Sequence, residues 1–159
     1  MQQEPEDPWA GYGRTEVEIE TAGVCLVVRP APSGQVDRWP FESAQAVYVL
    51  TAWDPGDKRP GDEANRRQQA ALESDLRRLA AQTWAASGVE PVSGHREEGV
   101  AVRGLSEGEV LALGARYGQD AVFVWTPGSW DVVACAGGRR ESSGWHLGGR
   151  GGRTSCGPV

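Results

Sequence analysis

The sequence has 159 residues, a length that predicts one domain with a core large enough to need no cross-links. Sixteen basic and 22 acidic residues give a net charge of −6, which argues against binding to a nucleic-acid backbone. Hydrophobic residues make up 39%, yet no run approaches the roughly 20 apolar residues of a membrane span. The polar, acidic start and the three cysteines without a CxxC pair predict a cytoplasmic protein with neither a disulfide framework nor a zinc site.

The first part of the sequence predicts an arm and three strands. Residues 1–14 are rich in Pro, Glu and Gly and predict a flexible arm. Apolar and acidic residues alternate from 15 to 21, which is typical of a half-buried strand. Residues 24–28 and 46–53 are largely apolar and predict more deeply buried strands.

Two helices are predicted from their caps and from the spacing of apolar residues. Asp62 is placed to cap the first helix, which carries leucines four and three residues apart on one face. These leucines are Leu72, Leu76 and Leu79. Ser106 and Glu109 have the spacing of a capping box at the start of the second helix, which Gly118 is placed to end.

The remaining apolar runs complete a predicted α/β domain. Strands are expected between residues 88 and 103, over 121–125 and over 130–134, so the element order is β-β-β-α-β-α-β-β. This order predicts a two-layer α/β sandwich, with a mostly antiparallel sheet of five to six strands and two helices on one face. We expect that domain to span residues 15–136, and the Gly-, Ser- and Arg-rich residues 137–159 to form a tail.

Four short motifs occur in an order that resembles a known bacterial family. Residues 51–55 (TAWDP) resemble a T-A-W/C-N-P loop, and residues 63–66 (EANR) resemble an E-N-R helix start. A glycine precedes the acidic pair at 97–98, and residues 117–121 (YGQDA) resemble an F-x-Q-N/D-A segment. The sequence is therefore identified as a diverged member of the domain of unknown function 3293, a resemblance that covers most of the chain and implies no activity. It departs from the family at Asp54, where the family's usual residue is asparagine.

Three acidic residues are candidates for catalysis. Asp54 lies where a strand breaks into a loop, a common position for functional groups, although Asp before Pro-Gly is also a frequent turn former. Glu97 and Glu98 lie next to His95, and carboxylates beside an imidazole can support general acid–base catalysis. Because adjacent residues of a strand point to opposite faces, only one of the two glutamates would serve. A solvated run of charge is the alternative interpretation.

Three polar residues are candidates for ligand binding. Asn65 and Arg66 open the helix that follows the loop, where an amide and a cation can bind an anion. Gln119 lies between a helix and a strand. The alternative roles are a polar first turn and hydrogen bonding within a connection. The sequence contains no recognisable metal or cofactor motif, and we therefore expect neither.

The tryptophans suggest a protein partner. There are seven, and three of them, Trp9, Trp39 and Trp145, lie in predicted arms or loops. Exposed tryptophans are enriched at protein interfaces, although such arms also fold back onto their own domain. We therefore expect a partner-dependent accessory subunit of a bacterial complex, which completes an enzyme of specialised small-molecule metabolism. The alternative is a small stand-alone enzyme or ligand-binding domain, with a polar pocket that uses carboxylate acid–base chemistry.

Overall fold

The computed structural model describes residues 7–56, 58–79 and 81–148, and within them the strands form a closed antiparallel barrel. The order around the barrel is β1-β2-β8-β7-β6-β3-β5-β4, and β4 pairs with β1 to close it. The strands are β1 Glu16–Thr21, β2 Val24–Ala31, β3 Val47–Leu50, β4 Gln82–Val89, β5 Arg96–Arg103, β6 Ala121–Thr126, β7 Ser129–Ala134 and β8 Arg140–Gly148. The helices are α1 Pro8–Arg14, α2 Asp62–Arg78 and α3 Glu107–Arg116.

The barrel overturns the predicted two-layer sandwich of five to six strands. Two of the strands, β4 and β8, were not predicted from the sequence. The sequence of β4, QTWAASGV, lacks a regular alternation of large apolar residues, and β8 lies in the Gly-, Ser- and Arg-rich segment. β4 joins β1 to β5, and β8 joins β2 to β7. The sandwich prediction is wrong because closure of the sheet depends on two strands with little local β signal.

The ends of the chain contribute to the fold where they are described. Residues 8–14 of the predicted arm form α1, and residues 140–148 of the predicted tail form β8. Within those segments, residues 1–6 and 149–159 lie outside the described residues. None of the helices in the described ranges is long and apolar enough to cross a membrane.

Alternate residues of the strands contribute to two separate cores. One core draws residues from all eight strands and therefore fills the barrel: Val17, Ile19, Val28, Val47, Val49, Ala86, Ala101, Trp125, Trp130 and Trp145. The other lies between the outside of the barrel and the helices, and includes Tyr48, Leu50, Leu72, Leu76, Val100, Val102, Val110 and Leu113. Because successive side chains of a strand point to opposite faces, one set fills the interior of the barrel and the other packs against the helices.

Both predicted helices form, but the prediction that Asp62 caps the first is wrong: the N-cap residue of α2 is Gly61, which has no side chain to cap the helix, and Asp62 lies in the first turn. Ser106 and Glu109 make both hydrogen bonds of the capping box at the start of α3. Leu72 and Leu76 of α2 are completely buried against the barrel. Leu79 differs from the prediction: the helix ends at Arg78, so Leu79 leaves the buried face and is 45% exposed.

Aromatic rings fill one end of the barrel. Trp39 packs against Trp125 with ring centroids 4.8 Å apart, and Trp145 lies 5.3 Å from Trp125. Trp125 pairs with Val47 at the beginning of β3, whereas Phe123 pairs with Val49 near the end of that strand. The aromatic cluster therefore fills the end of the barrel where β3 begins, and it does not extend to the end where β3 stops.

Candidate functional site

The end of the barrel where β3 stops contains a cavity of about 370 Å³. Its inner wall is apolar, with Val49, Phe123 and Val132 among the lining side chains. An adjoining polar hollow of about 250 Å³ reaches Asp54 and Asp120. The two spaces adjoin, and together they are called the recess below. They share five lining residues: Tyr12, Arg59, His95, Glu97 and Gln119.

Strand register brings the two segments of the recess together. Leu50, the last residue of β3, pairs with Val100 of β5, so the loop after β3 lies beside the beginning of β5. Gly99 permits this approach, since a Cβ atom there would lie 2.9 Å from the carbonyl oxygen of Leu50. The loop thus brings Asp54 to the strand that carries Glu97.

Asp54 is held in place by Asn65 of α2. The backbone N–H of Asp54 donates to Asn65 Oδ1 at 3.0 Å, and Asn65 Nδ2 donates back to Asp54 Oδ1 at 2.9 Å. Asn65 is 2% exposed, and Asp54 has a left-handed φ of 42°, which aspartate tolerates better than most residues. The second oxygen, Asp54 Oδ2, lies 3.8 Å from His95 Nε2 and 3.7 Å from Arg59 Nη1.

Side chains also hydrogen-bond to the backbone of the loop before Asp54. The N–H of Ala52 donates to Gln69 Oε1 at 2.9 Å, and the N–H of Trp53 donates to Thr51 Oγ1 at 3.0 Å. Gln119 Nε2 donates to the carbonyl of Trp53 at 3.0 Å. Gln119 therefore lines the recess and also braces the loop that carries Asp54.

His95 and Glu97 form a pair at the start of β5. His95 Nε2 lies 3.1 Å from Glu97 Oε1, and both side chains line the recess. Burial raises the pKa of Glu97, an effect that the hydrogen bond with His95 opposes and the charge of Asp54 reinforces. Glu98 points to the other face of the strand and is exposed, so Glu97 is the glutamate of this pair that reaches the recess.

Helix α1 covers one side of the cavity. Gly11 and Tyr12 line it, and Arg14 Nε donates to Glu90 Oε1 at 2.8 Å. The hydrogen bond from Arg14, followed by those from Ser93, lowers the pKa of Glu90 to about 2. The ion pair thus ties α1 to the turn that leads into His95.

Asp54, His95 and Glu97 form the chemical centre of the recess. Each offers one ligand atom, and these atoms all lie within 4.8 Å of one another. An imidazole with two carboxylates can exchange protons with a bound molecule or coordinate a divalent cation. Arg59 places a cation 3.7 Å from Asp54; the sequence analysis missed it, and no sequence signal stands out for it.

One predicted ligand-binding residue lies outside the recess, and one residue that holds the loop was not predicted. Arg66 is exposed and lines neither space of the recess. Gln69 was missed, although its position four residues after Asn65 places both amides on one face of α2 and could have revealed it.

The three tryptophans predicted to contact a partner do not form one surface. Trp145 is 0% exposed, and its Nε1 donates to the carbonyl of Thr126 at 3.0 Å. Trp39 is half-buried against the barrel interior. Trp9 is half-buried on α1, with the guanidinium of Arg139 4.3 Å from its ring centre.

A comparison with protein families supports the family resemblance. Residues 50–122 match the family described as "Protein of unknown function (DUF3293)", which confirms the resemblance found in the sequence. The matched segment contains Asp54, Asn65, His95, Glu97 and Gln119. No curated protein matches the chain.

Proposed function

We propose that this member of the DUF3293 family binds a small amphiphilic molecule in the mouth of its barrel and acts on the polar end of that molecule. The observation that carries the proposal is that the apolar cavity and the polar hollow adjoin and share His95 and Glu97 as lining residues. A volume of about 370 Å³ for the inner part is within the usual range of small-molecule sites. We also propose that the protein is bacterial and cytoplasmic, as expected from its sequence.

The two parts of the recess favour different parts of a ligand. Val49, Phe123 and Val132 offer an apolar surface, so an aliphatic or aromatic group would be favourable there. His95 and Glu97 are at the rim, where they would meet a hydroxyl, amine or carbonyl group. Carboxylates and imidazoles are the side chains that most often transfer protons in enzymes, so this rim suits acid–base chemistry as well as binding.

The accessory-subunit hypothesis has less support. Trp39 and Trp145 pack toward the barrel interior, which leaves Trp9 as the tryptophan near the surface on which that hypothesis would depend. We therefore favour the ligand-binding domain, with catalysis at Asp54 and Glu97 as the chemistry it would perform.

The test is binding of the fluorescent amphiphile N-phenyl-1-naphthylamine to metal-free protein. Val132→Phe places a larger side chain against the cavity, and Val24→Phe makes the same change at an exposed position. We expect saturable binding to the unmodified protein, at least tenfold weaker binding to V132F and binding within twofold for V24F.

A second cavity variant, Ala121→Leu, guards against misfolding of V132F, and thermal unfolding shows which variants are folded. The proposal is wrong if the unmodified protein shows no saturable binding, or if folded cavity variants bind the probe as tightly as V24F.

A further inference from the structure

We propose that Asp54, His95 and Glu97 bind a divalent transition-metal ion at the mouth of the barrel. The sequence carries no metal motif because the ligands come from two separate segments, the loop after β3 and the start of β5. This proposal goes beyond small-molecule binding and does not depend on it.

The distances among the three side chains suit one ion. His95 Nε2 lies 3.1 Å from Glu97 Oε1 and 3.8 Å from Asp54 Oδ2, and the three ligand atoms are all within 4.8 Å. Metal–ligand bonds of about 2.0–2.2 Å place neighbouring ligand atoms about 3–3.5 Å apart. Small side-chain rotations would therefore bring all three atoms into coordination.

Hydrogen bonds orient the carboxylate of Asp54 so that one oxygen can coordinate an ion. Asn65 uses both ends of its amide on Asp54, and the hydrogen bond from Asn65 Nδ2 engages Oδ1. Oδ2 is left facing His95. Outer hydrogen bonds of this kind orient the carboxylates that coordinate metals in proteins.

The charges and the open side of the site also fit a divalent ion. Two carboxylates balance a charge of +2, and a nitrogen with two oxygens suits Zn²⁺, Mn²⁺ or Co²⁺ better than Mg²⁺. The three ligands line the recess, so an ion there would have positions open for water or for a bound molecule, whose polar group it would polarise.

Arg59 competes with the ion for Asp54. Its guanidinium lies 3.7 Å from Asp54 Oδ2, and the side chain is 77% exposed, so it is able to move away when a metal binds. Removal of this cation should therefore tighten metal binding, the opposite of the effect expected from loss of a ligand.

The experiment is titration of chelator-treated, full-length protein with Co²⁺, followed by visible absorption, and with Zn²⁺, followed by calorimetry. We expect one ion per chain, affinity at least tenfold weaker in Glu97→Gln and His95→Gln, and tighter binding in Arg59→Ala. Glu98→Gln, on the opposite face of β5, is the matched control and should stay within twofold. His146→Gln, which removes the second of the chain's two histidines, should also stay within twofold.

Thermal unfolding without metal shows whether each variant is folded. The inference is overturned if the unmodified protein binds neither ion with a Kd below about 100 µM, or if E98Q or H146Q weakens binding as much as E97Q and H95Q. Because these titrations contain no organic ligand and the probe experiment contains no metal, failure of one proposal is distinguishable from failure of the other.

Discussion

Replacement of Asn65 by alanine tests how the loop that carries Asp54 is held. The change removes two hydrogen bonds, one to the Asp54 N–H and one to Asp54 Oδ1. Each is worth about 0.5–1.5 kcal/mol net, and a buried N–H left without a partner costs about 1–3 kcal/mol more. Because Asn65 is 2% exposed, water replaces these contacts poorly, and we expect Asn65→Ala to lower the free energy of unfolding by about 2–4 kcal/mol.

Urea denaturation followed by tryptophan fluorescence measures this loss. Gln68→Ala is the control, since Gln68 is an exposed residue of the same helix and its removal should change stability by less than about 0.5 kcal/mol. A loss in N65A no larger than that in Q68A would show that the loop does not depend on Asn65.

An Asn65→Asp variant separates charge from shape. It keeps an acceptor for the Asp54 N–H but places a second carboxylate where an amide now donates to Asp54 Oδ1. Two adjacent carboxylates raise the pKa of one of them, so N65D should be destabilised at pH 7 and should recover as the pH falls toward 5. A deficit relative to the unmodified protein that is equal at both pH values would refute the charge argument.

Two further predictions concern α2. In urea denaturation, Leu76→Ala should lower the free energy of unfolding by about 2–5 kcal/mol because Leu76 is completely buried. Leu79→Ala should lower it by less than about 0.5 kcal/mol, since Leu79 is partly exposed. Similar losses in the two variants would show that the buried face of α2 is assigned wrongly. The hydrogen bond from Tyr117, with the charges of Arg116 and Arg78, lowers the pKa of Asp75 below its ordinary 3.8. The ionised Asp75 therefore stabilises the folded protein above pH 3.8, and this stabilisation is lost as the pH falls through the lowered pKa. Asp75→Asn should therefore be less stable than the unmodified protein at pH 7, with a smaller difference at pH 3; a difference that does not shrink would refute this role.

Much of the local structure could be predicted from the sequence because its signals are local. The capping box of Ser106 and Glu109, and the spacing of Leu72 and Leu76, act over one or two helical turns. The same holds for the opposite directions of Glu97 and Glu98, which follow from the period of a strand. The loop residues Asp54 and Asn65 were also recognisable, because they lie in motifs that resemble those of a known family, and residues 50–122 match that family.

Only the tertiary structure decided the closed barrel and the composition of the site. β8 has weak β signals of its own, but pairing with β2 and β7 on both sides satisfies its backbone and buries Trp145. The meeting of Asp54 with His95 and Glu97 depends on the pairing of Leu50 with Val100, between segments far apart in the chain. A strand's sequence determines which side chains share a face, but its partner is determined by how all the strands together bury their apolar faces and satisfy their hydrogen bonds, and that is a property of the whole chain.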